Sequence, residues 1–79
     1  MTVRCSTYNQ IKEFKTPDEA KAFFLECMRG SEGSEQARYI QIYSQLMNGH
    51  TYCTDKEFVT DAELLEVEKY FEEKERMYK

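Results

Sequence analysis

Thr16-Pro17-Asp18-Glu19 constrains the fold of this chain more than any other stretch. A threonine that can cap, a proline at the first helical position and a glutamate three residues after the cap form a capping box, so a helix begins there. Ala20, Phe23, Phe24, Cys27 and Met28 follow at i, i+3, i+4, i+7 and i+8, an apolar side about 140° wide. Gly30 is read as its end.

The segment before this start has the opposite character. Thr2 to Lys15 is rich in β-branched and aromatic residues with the polar pair Asn9-Gln10 in its middle. Because asparagine tolerates positive φ, the pattern predicts a hairpin with strands at about 2–8 and 11–15. One longer, bent strand is the alternative.

After the turn Gly30-Ser31-Glu32-Gly33-Ser34, where Ser31 or Ser34 can cap the next helix, a second apolar face appears. Tyr39, Ile40, Ile42, Tyr43, Leu46 and Met47 fill an arc of about 160°, with Arg38, Gln41, Ser44, Gln45 and Asn48 opposite. Asn48-Gly49 supplies a left-handed stop. His50 to Thr54 has strand composition and is expected to join the hairpin as a third strand.

Thr60-Asp61-Ala62-Glu63 is a second capping box, and Val59 with Leu64 can form a hydrophobic staple across it. The third helix then carries a narrow stripe of Leu64, Val67, Phe71 and Tyr78, and the pairs Glu72–Arg76 and Glu75–Lys79 at i, i+4 support it. The order ββααβα predicts an α+β domain over 1–79, a small two-layer structure whose three-stranded, mostly antiparallel sheet is covered on one face by three helices. The expected core is Val3, Cys5, Phe14, Phe23, Phe24, Cys27, Tyr39, Ile40, Tyr43, Leu46, Met47, Leu64, Val67 and Phe71.

With 79 residues there is room for one core and little stability to spare for a deep catalytic cavity. No apolar run approaches the roughly 20 residues of a membrane span, and Met1 to Phe14 lacks the apolar region of a secretory signal. The expectation is a soluble, cytoplasmic protein without membrane contact. Cys5, Cys27 and Cys53 are odd in number and lack paired spacing, so they read as free thiols in a reducing compartment.

No glycine-rich phosphate loop, serine elbow or carboxylate pair on an apolar background is present, so no catalytic residue is assigned and no enzyme is expected. Zinc chemistry has one set of candidates, Cys5, Cys27, His50 and Cys53, but structural zinc sites bring paired ligands twice and this chain has one such pair. No metal and no cofactor are therefore assigned. The net charge of −4 is placed unevenly: residues 1–54 hold six acids and six bases, and 55–79 hold nine acids and five bases.

Scattered bases and an acidic last third argue against nucleic acid as partner. As a DNA mimic, the third helix has about a quarter of the charge density it would need. A modest acidic patch suits a protein with a basic surface, and Glu66, Tyr70, Glu72, Glu73 and Tyr78 are its candidate contacts. A regulator resembling a dimeric antitoxin, using Lys12, Lys15 and Arg38, is the alternative, and a metal or thiol site protein the second. An uncovered strand edge or helix end would favour a homodimer.

The run from Gly30 to Ile40, followed by Leu46, Gly49 and Cys53-Thr54-Asp55, resembles small uncharacterised proteins carried on conjugative elements, plasmids and phages of gut bacteria. The resemblance implies an inhibitor or accessory protein of a mobile element acting on a host protein, with anti-CRISPR and anti-restriction proteins among the classes considered. It implies no target. The run itself is explained structurally by a tight interhelix turn and by Glu35 within reach of Arg38 at i, i+3.

Overall fold

The computed structural model describes residues 2–56 and 59–77 and has the order β1 (Val3–Thr7), β2 (Gln10–Phe14), α1 (Pro17–Arg29), α2 (Gly33–Met47), β3 (Tyr52–Thr54), α3 (Asp61–Met77). This is the expected ββααβα domain. Its sheet is mixed, in the order β2-β1-β3. β1 pairs antiparallel with β2 and parallel with β3, where Cys5 lies opposite Cys53 and Arg4 opposite Tyr52. The two helices between β1 and β3 carry the chain back to the same end, which makes the parallel pairing feasible.

The hairpin turns one residue earlier than expected. Thr7 pairs with Gln10, and the two turn residues Tyr8 and Asn9 have φ of 50° and 62°, as a type I′ turn requires. Asp55 holds this turn, its Oδ2 accepting from Thr7 Oγ1 at 3.0 Å, the Tyr8 N–H at 3.2 Å and Arg38 Nη1 at 3.2 Å. Arg38 therefore pairs with Asp55, while Glu35 accepts from the Tyr39 hydroxyl.

The threonine half of each expected capping box forms. Thr16 Oγ1 accepts from the Glu19 N–H and Thr60 Oγ1 from the Glu63 N–H, each at 3.2 Å. Glu19 reaches back one residue beyond the usual box, to the Lys15 N–H. Neither serine caps α2, whose N-cap is Glu32 without a side-chain bond. Ser31 instead donates to the Cys27 carbonyl at 2.7 Å, and Gln36 Nε2 to the Met28 carbonyl at 2.9 Å. Both close the end of α1, where the last carbonyls lack helical partners. Gly49, at φ 87°, provides the left-handed stop after α2.

Val3, Cys5, Ala20, Phe24, Ile42, Leu46 and Cys53 form the core between α1, α2 and one face of the sheet, with Phe14, Tyr39 and Tyr43 packed against it. Leu64 is buried as well. Phe23, Ile40 and Met47 are exposed, contrary to the expected core, and Cys27, Val67 and Phe71 are half-buried. Ile42, Ala20 and Cys53 take their place. The cause in α2 is rotational. Gln41 Nε2 and Gln45 Nε2 donate to the Thr54 carbonyl, and Gln45 Oε1 accepts from the Thr54 N–H. Turning those glutamines toward β3 moves the buried centre, Ile42 and Leu46, about 60° from the middle of the apolar arc and lifts Ile40 and Met47 into solvent.

The third helix departs from one-sided covering. Successive side chains on a strand alternate faces, so Arg4 and Tyr52 point away from the core that Cys5 and Cys53 enter. Phe71 meets them there, with its ring 4.4 Å from the Arg4 guanidinium and 5.9 Å from the Tyr52 ring. α3 thus packs at the β3 edge on the other face.

Candidate functional site

What positions α3 is Glu68. Its Oε1 accepts from the Thr51 N–H at 2.8 Å and the Tyr52 N–H at 3.2 Å, and faces His50 Nδ1 at 3.0 Å. A carboxylate with several charge-assisted donors is a strong anchor in a half-buried setting. Leu64 and Phe71 pack on the same side of the helix, and Arg4 Nη2 binds Glu75 Oε1 at 2.8 Å further along.

With that side fixed, the 100° step of the helix places the rest. Glu66, Tyr70, Glu73 and Met77, at i, i+4, i+7 and i+11, fall within about 60° on the side opposite Leu64. Tyr70 is 58% exposed and Met77 85% exposed. The structure therefore brings Glu66, Tyr70 and Glu73 together on one outward stripe and adds Met77. Glu72 lies roughly 100° away, beside Phe71, and pairs with Arg76 at 3.5 Å. Tyr78 lies outside the described residues, as does Lys79, the proposed partner of Glu75.

Glu68 was missed by sequence reasoning. Its signal was present: an acid one turn after Leu64 and one turn before Phe71 interrupts an apolar stripe, and an acid there requires partners. Gln41 and Gln45 were placed on a solvent side and instead bind β3.

The thiol and imidazole candidates do not form one cluster. Cys5 and Cys53 are neighbours inside the core, while His50 Nε2 faces Asp61 and its Nδ1 faces Glu68. Cys27, near Lys12 and Glu35, is half-buried in another region. Among the described residues, no group of three His, Cys, Asp or Glu side chains is placed to hold a metal ion. The hydrogen bond with Cys5, followed by burial, pushes the Cys53 thiol up, and burial does the same for Cys27. Thiols held neutral in this way are poor nucleophiles.

Two of the three bases named for nucleic acid, Lys12 and Arg38, also take separate partners. Lys12 sits 3.9 Å from the Phe23 ring, and Arg38 is bound to Asp55 with its guanidinium 4.8 Å from the Tyr8 ring. The Arg38–Asp55 pair lines a polar cleft of about 590 Å³ with Ser34, Asn9 and Lys56. Asp55 is already committed there to three donors. Among the described residues, no helix is long and apolar enough to cross a membrane. No family model matches the chain, and no curated protein or solved structure matches it either.

Proposed function

We propose that this chain is a non-enzymatic protein-binding module whose working surface is the outward stripe of α3. The observation that carries this reading is the placement of Tyr70 between the carboxylates of Glu66 and Glu73, with Met77 one turn beyond Glu73 on the same stripe and both Tyr70 and Met77 exposed. Aromatic and methionine side chains are enriched in protein interfaces, and flanking acids steer a basic partner and fix its register. The opposite side of the helix is bound to the body, so the stripe is presented on a braced element.

A non-catalytic role is supported by how the chemically capable groups are used. Glu68 and Asp55 are occupied by hydrogen bonds that hold β3 and the hairpin, and the Cys53 thiol is kept neutral. With the resemblance to proteins of mobile elements, the partner is a host or element-encoded protein with a basic surface, and the outcome is its inhibition or adaptation. Anti-CRISPR and anti-restriction activity are specific forms of this proposal.

The test is affinity capture of the tagged chain from host lysate, with and without nuclease, read by mass spectrometry. A single partner recovered equally under both conditions is expected. Recovery that depends on nucleic acid would replace this reading with the regulator.

A further inference from the structure

We propose that two copies of this chain pair through their β2 edges, joining two three-stranded sheets into one six-stranded sheet. The two edges of the sheet differ. On β3, the N–H of Tyr52 and both the N–H and C=O of Thr54 point outward, and Glu68, Gln45 and Gln41 satisfy them. Side chains thus take three of the four outward backbone groups of that edge, all but the Tyr52 carbonyl.

The β2 edge is open. The turn closes on the Thr7–Gln10 pair, so Gln10, Lys12 and Phe14 direct their backbone bonds to β1, and Ile11 and Glu13 direct theirs outward. None of the hydrogen bonds among the described residues reaches the outward N–H or C=O of Ile11 or Glu13. The strand is exposed from Gln10 to Glu13, and Ile11 is 54% exposed. An open edge of this kind is a template for another strand.

Three observations select a second copy as the occupant. Pairing β2 with β2 of a second copy leaves β3 at both outer edges, where side chains already take most of the outward backbone groups, so the assembly ends at two chains; any other strand would bring an edge of its own. Register comes next. An antiparallel pairing with its two-fold at Lys12 or Glu13 sets like charges directly opposite each other, which is unfavourable. With the two-fold at Ile11, the two isoleucines meet and Gln10 faces Lys12 of the second copy. Charge placement is the third. Residues 1–54 are balanced at six acids and six bases, and the acidic α3 packs at β3, on the far side of β1. The β2 edges approach without net repulsion, and the acidic helices lie at the two ends of the joined sheet. This interface does not depend on the α3 reading, but it would present two α3 stripes to a partner.

The experiment is light scattering during size exclusion of the full chain, with backbone amide exchange followed by NMR. The expected mass is twice the 9.5 kDa of one chain, with the Ile11 amide protected although it makes no bond within the chain. Ile11→Pro removes only an outward N–H, and Ile11→Lys opposes two charges at the two-fold. Both variants should run as single chains with an unchanged circular dichroism spectrum. A native chain that runs at 9.5 kDa at its highest usable concentration would overturn the proposal. So would a dimer whose Ile11 amide exchanges freely, or one that survives Ile11→Lys but is broken by Glu66→Lys/Glu73→Lys.

Discussion

Glu68 shows how much of this structure hangs on one side chain. Glu68→Ala would strand two backbone donors, those of Thr51 just before β3 and Tyr52 at its start, and loosen α3, at a cost of about 2–3 kcal/mol in urea unfolding. Glu68→Gln keeps an acceptor and should lose roughly 1 kcal/mol. Equal losses would mean that charge, and not edge closure, is what matters. The Cys53 thiol makes a pH prediction. Its folded value is raised above the ordinary 9.0 by its hydrogen bond with the free Cys5 thiol and by burial. Below pH 9 the thiol is protonated in both states and stability is unaffected. Above it the unfolded thiol ionises while the folded one does not, so stability falls by up to about 1.4 kcal/mol per pH unit. Cys53→Ala should flatten that alkaline slope; an unchanged slope would place its origin elsewhere. At this scale the sequence revealed the caps, because Thr16 and Thr60 act on residues three positions away. It concealed Ser31, whose partner is the carbonyl behind it and not the helix ahead.

For whole elements, legibility tracked the range of the interactions. The helices were readable from periodicity and the strands from composition, and the starts of α1 and α3 from their caps. The rotational phase of α2 was not, since it is set by Gln41 and Gln45 reaching β3, and amides look the same on a solvated face. The parallel partner of β3 was hidden for a similar reason: three residues fix no direction, and the choice is made by the helices that precede them. The phase of α2 can be tested directly. Ile42→Ala should cost about 2–5 kcal/mol in unfolding free energy, while Ile40→Ala, at a site 43% exposed, should cost less than about 1 kcal/mol. Similar losses at the two sites would contradict the rotation of the helix.

Across the whole molecule, charge and fold are arranged together. The balanced first two-thirds builds the core and the three strands, and the acidic last third is held at the β3 edge by Glu68, Arg4 and Phe71. The molecule is elongated, 41 × 25 × 22 Å, consistent with a long helix carried at one side. The sequence pointed to α3 as the acidic surface but could not sort its contacts. Only the anchored face shows that Glu66, Tyr70 and Glu73 lie together on one outward stripe and that Glu72 pairs with Arg76 away from it. The most direct measurement is therefore capture from nuclease-treated lysate by Glu66→Lys/Glu73→Lys, with Glu72→Lys in parallel and circular dichroism as the check on folding. The double reversal should abolish recovery of the partner while Glu72→Lys retains most of it. Undiminished capture by a folded Glu66→Lys/Glu73→Lys chain would contradict the assignment of α3 as the working surface.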